Sequence, residues 1–106
     1  MKPFIVSIAV ALGMGFAGNA MSADMPEIAK KLGCNACHSI EKKIVGPAWQ
    51  AVADKYKGVA GAADKLNAKI AKGGSGVWGA TPMPPQIRAS DADRKELVTF
   101  ILGLAK

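Results

Sequence analysis

Apolar positions follow two different rhythms along this chain. From Phe4 to about Phe16 they run almost unbroken behind Met1, Lys2 and Pro3, then give way to the small residues of Ala17 to Ala23. From Asp24 onward they recur at helical spacing. Glu27, Ile28, Ala29 and Leu32 fit a short helix that Asp24 can cap and Gly33 can end. Trp49, Val52, Ala53 and Tyr56 fall at i, i+3, i+4 and i+7, the stripe of an amphipathic helix. A third helix fits Ala62 to Lys72, with Ala63, Leu66 and Ile70 on one face and Gly73-Gly74 as its stop. The glycine-rich stretch to Gly79 and the proline segment after it read as loop. Ser90 and Asp93 are spaced as a capping pair, and Leu97, Phe100, Ile101 and Leu104 carry a final stripe. No alternating run argues for a strand. The pattern predicts one small all-α domain of about four short helices, without repeats or a second domain.

The unbroken apolar run at the start is too short to cross a bilayer, which takes about 20 apolar residues, and Gly13 and Gly15 interrupt it. With a basic residue before it and small residues after it, residues 1–23 read as a secretory signal peptide. Cleavage is expected after Ala23, with a cut after Ala20 as the rival. Residues 24–106 then form the mature domain, about 83 residues long, a size that buries only a little over ~60% of its unfolded surface and is marginal without a staple. A disulfide between cysteines with only two residues between them closes too short a loop to serve as that staple.

Gly33 to Ile40, GCNACHSI, holds both cysteines and the only histidine of the 106-residue chain. Three chemistries compete for Cys34-Asn35-Ala36-Cys37-His38. A thioredoxin-like redox pair needs a βαβ setting, whereas the flanks here are helical. A structural zinc site needs four ligands, and no further Cys or His exists. C-x-x-C-H is also the attachment site of a c-type haem, in which two thiols add across the porphyrin vinyl groups and the next histidine ligates iron. Export fits that chemistry, and a covalently bound apolar macrocycle supplies the core a short chain lacks.

His38 gives one axial ligand, and with no second histidine, methionine is the next common choice. Of five methionines, Met1, Met14 and Met21 lie in the expected leader and Met25 near the mature start, leaving Met83 in Ala80-Thr81-Pro82-Met83-Pro84-Pro85. Met83 as a mere space-filler is the plain alternative. The prolines favour a ligand, because they fix φ and bias their neighbours toward extended backbone, giving a stiff segment able to hold a weak thioether. A lysine ligand or an open site are the other options.

Cys34-Asn35-Ala36-Cys37-His38, then Val45-Gly46-Pro47-Ala48-Trp49, Gly76-Val77-Trp78-Gly79 and Pro82-Met83-Pro84-Pro85 together resemble the short class I c-type cytochromes of bacteria, the five-fifty-one type, across essentially the whole mature chain. The resemblance implies the small class I cytochrome c fold, about four helices around one haem c held by two thioether bonds, with His38 and Met83 on the metal. It implies a periplasmic carrier, not an enzyme, moving single electrons between a membrane quinol-oxidising complex or dehydrogenase and a terminal reductase or oxidase. It also implies that the Pro47 carbonyl accepts the His38 ring N–H and that the Trp78 indole N–H meets a haem propionate. Where relatives often carry Arg for a propionate this chain has Lys69, which lacks the bidentate fork. Gln86 stands near the methionine where Asn is frequent, and Phe100 where Trp is.

Charge bears on partners. The chain carries a formal +6, and losing the leader removes only Lys2. Lys30, Lys31, Lys42, Lys43, Lys55 and Lys57 lie near the haem motif in sequence, and a basic rim there would steer acidic redox proteins. A merely solvated surface is the alternative. Nucleic acid is not expected, since the basic residues lack interleaved aromatics, nor is stable membrane insertion, and a monomer is expected. The competing functional reading is a haem enzyme or gas sensor whose Met83 dissociates.

Overall fold

Pro26 sets the first helix. In the computed structural model, which describes residues 24–106, its extended backbone (φ −62°, ψ 153°) is the N-cap of α1, Glu27–Lys31, and its carbonyl accepts from the Ala29 and Lys30 amides. The cap expected at Asp24 is not made, because Asp24 precedes the helix by two further residues and no side chain caps this end. Glu27 in the first turn and Lys30 and Lys31 in the last complement the helix dipole instead. The signal peptide expected over residues 1–23 lies outside the described residues.

The second and third helices form where the apolar spacing places them. α2, Trp49–Tyr56, buries Trp49, Val52 and Ala53. α3, Ala62–Lys72, begins after Gly61 at φ 72° and ends at Gly73. Its inward stripe is Ala62, Leu66 and Ile70, and Ala63, expected inside, is exposed. Both choices suit the 3.6-residue period; packing selects the i, i+4, i+8 row. α4, Asp91–Leu102, opens with a complete capping box: the Asp93 amide donates to Ser90 Oγ at 3.1 Å and the Ser90 amide to Asp93 Oδ2 at 3.0 Å.

A small hairpin departs from the all-helical expectation. β1, Gly74–Gly76, pairs antiparallel with β2, Gly79–Met83, with Gly74 opposite Met83 and Gly76 opposite Gly79. No alternation marks these strands because nearly all their residues are exposed and four of the eight are glycine or proline. Backbone pairing alone makes them, with Gly74, Gly76 and Gly79 at positive φ.

α4 packs against α1, α2 and α3. Ala29, Trp49, Val52, Leu66, Ile70, Leu97, Val98 and Ile101 form the buried cluster, and Phe100 adds an edge-on contact to Trp49 at 5.9 Å between ring centroids. Among the described residues, Leu97 is the large side chain fully out of solvent. The helices therefore bring together a thin core, and their remaining apolar faces turn toward a cavity between the helices and the hairpin. Among the described residues, no helix is long and apolar enough to cross a membrane.

Candidate cofactor site

Gly33, at φ 78°, turns the chain out of α1 into a 3-10 turn over Cys34–Ala36. The Cys37 and His38 amides both close onto the Cys34 carbonyl, at 3.2 and 2.9 Å. This tight turn brings Cys34, Cys37 and His38 onto the wall of one cavity of about 320 Å³. The segment beyond it folds back on the turn, with Gly46 N–H donating to the Cys37 carbonyl at 2.7 Å and Trp49 N–H to the Ser39 carbonyl at 2.9 Å.

That return fixes the histidine. His38 Nδ1 donates to the Pro47 carbonyl at 2.8 Å, so Nδ1 holds the ring proton and Nε2 keeps the lone pair available to a metal. Gly46 backs the ring so closely that an added Cβ would sit 2.5 Å from His38 Cε1. Trp49 lies against it at 5.9 Å between centroids, tilted by 36°. The valine-glycine-proline sequence thus serves two ends: glycine allows the approach and the proline's own carbonyl orients the imidazole.

Met83 reaches the same cavity from the end of β2, half-buried and packed on the core cluster. Gly73, at φ 67°, lets the end of α3 touch this segment: a Cβ there would overlap the Met83 carbonyl oxygen and come within 2.8 Å of Pro85 N. Pro84 and Pro85 follow, and Gln86 N–H donates to the Ile70 carbonyl at 2.9 Å. The Gln86 side chain donates to the Pro84 carbonyl at 2.8 Å, which turns its amide to the backbone of its own loop rather than to the methionine.

The cavity suits a flat, mainly apolar group held from its rim. Val45, Val77 and Trp78 line it, yet they are 54%, 49% and 42% exposed. Large apolar side chains laid open side by side mark a surface made to be covered, and a macrocycle beneath them would do so. Both cysteines lie on the cavity wall and are not joined to each other, as attachment through two thioethers requires. Burial pushes the Cys34 thiol pKa up, the neighbouring Cys37 adds to the rise, and a backbone hydrogen bond partly opposes them. Among the described residues, no three His, Cys, Asp or Glu side chains are grouped to hold a metal ion by themselves. With two thiols, one imidazole and one thioether on a largely apolar wall, the cavity fits a haem, which brings its own four nitrogen donors to the iron.

Every residue expected at the site lines this cavity: Cys34, Cys37, His38, Pro47, Lys69, Trp78 and Met83. Trp78 stands at its mouth with the Lys55 ammonium 5.7 Å from its ring centre. Lys69 Nζ lies near Gly74, where an added Cβ would be 3.2 Å away. Of the lysines near the motif, Lys43 lines the cavity and Lys55 reaches its edge through Trp78, while Lys57 donates to the Lys106 carbonyl. Gly46 and Gly73 escaped notice as site residues, since only the ring and the carbonyl pressed against them reveal their role.

The family model described as cytochrome c matches residues 19–105. Cytochrome c-551 of Allochromatium vinosum is 56% identical over 77 residues, covering 73% of this chain and 82% of that protein. Cytochrome c-552 of Hydrogenobacter thermophilus is 47% identical over 105 residues, covering 98% and 99%. The crystal structure of wild-type Nitrosomonas europaea cytochrome c552 superposes with a TM-score of 0.72 at 51% identity, covering 74% of this chain and 96% of that one.

Proposed function

The chain belongs to the cytochrome c family, and on that premise we propose that His38 and Met83 are the two axial ligands of its haem. The family's members are monohaem electron carriers rather than enzymes, with haem c attached covalently, and Cys34 and Cys37 fit the attachment motif. When bound, the haem supplies one-electron exchange between ferric and ferrous iron.

The observation that carries the ligand assignment is the His38–Pro47 hydrogen bond of 2.8 Å beside a cavity that Met83 also lines. With Nδ1 committed to a carbonyl, His38 presents Nε2 as a fixed, more basic donor. Met83, set between prolines and backed by Gly73, presents a thioether on a segment that resists displacement. Holding both ligands in either oxidation state would keep rearrangement on electron transfer small. Val45, Val77 and Trp78 give the cavity an apolar rim, which together with the thioether would favour the ferrous state.

Cys34 and Cys37 would form the two thioethers, Trp78 would donate to a propionate with Lys69 as a single-ammonium partner, and the signal peptide over residues 1–23 would deliver the chain to the periplasm. There it passes electrons from a membrane quinol-oxidising complex or dehydrogenase to a terminal reductase or oxidase. Lys43 and Lys55, both at the cavity, favour partners with acidic docking faces.

The oxidised holoprotein is expected to show the weak far-red absorption of an Fe(III)–thioether bond and to bind exogenous imidazole or cyanide poorly. Met83→Ala should abolish that band and bind both readily. A wild-type protein that is high-spin and binds such ligands at once would favour the enzyme or sensor reading.

A further inference from the structure

The segment that carries the chain from Met83 into α4 has little apolar anchorage. Ile87 is 89% exposed and Arg88 is also exposed, and between Gln86 and Ser90 only Ala89 is buried. Something polar must hold it. Gln86 N–H donates to the Ile70 carbonyl of α3 at 2.9 Å, and Ala89 N–H to the Gln86 carbonyl at 3.2 Å. The second attachment is a side chain. Arg94, in the first turn of α4, donates from Nε to Asn67 Oδ1 of α3 at 3.0 Å and from Nη1 to the Ala89 carbonyl at 2.8 Å, while Nη2 pairs with Asp91.

These bonds close a ring. It runs from Asn67 through Arg94 to Ala89, through Gln86 to Ile70, and back along one turn of α3. We propose that Arg94 is a positioning residue for Met83: its guanidinium, bridging Asn67 and the Ala89 carbonyl, locks the ligand segment to α3. The inference rests on the reading of Met83 as an axial ligand. The Arg94 side chain is only 17% exposed, so the donors it turns to Asn67 and the Ala89 carbonyl are partly shielded from competing water, and their loss is costly. Arginine suits the place because three planar donors meet three acceptors at once, whereas a lysine would satisfy fewer with one ammonium. The ring restrains the backbone from which Met83 reaches the cavity and opposes its lifting away from α3.

The test is a titration of the oxidised holoprotein with imidazole, followed by loss of the far-red band and by the Soret shift, beside denaturant unfolding of the same samples. Arg94→Ala and Asn67→Ala should each raise apparent imidazole affinity about tenfold, the equivalent of losing one shielded hydrogen bond to a charged group. The double variant should add little, since both remove the same bridge. Arg94→Lys should fall between. Gln50→Ala is the control: it removes the 2.6 Å bond from Gln50 Nε2 to the Leu104 carbonyl, costing stability at two residues that do not line the cavity, and should leave imidazole affinity unchanged.

Wild-type affinity in both Arg94→Ala and Asn67→Ala would overturn the proposal, as would an equal rise in Gln50→Ala. Met83→Ala separates the two levels. If it binds imidazole far more tightly than wild type while Arg94→Ala does not, the ligand reading stands and the clamp fails. If wild type and Met83→Ala bind alike, both fail.

Discussion

Replacing Gly46 by alanine isolates the strength with which the protein holds His38. Gly46 is not among the glycines at positive φ, so alanine's backbone is allowed and the cost comes from the new methyl group alone. That carbon would lie 2.5 Å from His38 Cε1 and 2.9 Å from Nδ1. Neither atom belongs to a flexible chain end: the ring is tethered by its own turn and by the 2.8 Å bond to Pro47. Something must move by nearly an ångström. Overpacking of this kind costs about 1–3 kcal/mol, and loosening the hydrogen bond adds roughly 1 kcal/mol. A total of about 2–4 kcal/mol corresponds to a fall in Tm of roughly 8–30 °C for a domain this size. The reduction potential should rise as well, because a weaker bond to Pro47 makes the imidazole a poorer donor and disfavours ferric iron. Thermal unfolding of the holoprotein and voltammetry would measure both. An alanine variant with wild-type Tm and potential would refute the claim that Gly46 and Pro47 jointly set the ring.

Two further outcomes follow from other parts of the chain. Ser90→Ala removes one half of the α4 capping box and should cost about 1 kcal/mol, a fall in Tm of about 4–8 °C, with the potential unchanged; denaturant melts and voltammetry check this. Lys43→Glu combined with Lys55→Glu should slow electron exchange with an acidic redox protein at low ionic strength. Stopped-flow rates should converge with wild type as salt screens the field, and equal rates at low salt would remove the basic rim from the steering role.

The sequence disclosed most where a residue's chemistry or period is its own signature. The Cys34-to-His38 run announces its cofactor by spacing, and Trp49, Val52 and Ala53 announce α2 by their stripe. The Ser90–Asp93 box was legible because both partners are side chains within one turn. Features made by backbone were not. The hairpin over Gly74–Met83 carries no alternation, since its strands bury almost nothing. Gly46 and Gly73 look like ordinary loop glycines until the His38 ring and the Met83 carbonyl are seen against them. The cap assigned to Asp24 went instead to Pro26, whose fixed φ already suits a helix entrance. Ala62 replaced Ala63 on the inner face of α3 because neighbouring alanines are equivalent to any period and only the packing partner tells them apart. Arg94 escaped for a similar reason: its acceptors, Asn67 and the Ala89 carbonyl, are joined to it by the fold.

The central claim is that one macrocycle lies between His38 and Met83, and proton NMR of the reduced holoprotein tests it most directly. A diamagnetic haem shifts protons stacked over its face strongly upfield. The Met83 ε-methyl and side-chain methylene signals, together with the His38 ring protons, should all appear upfield of the ordinary protein envelope. A Met83 methyl resonance at its usual position, with His38 alone displaced, would contradict the two-sided grip.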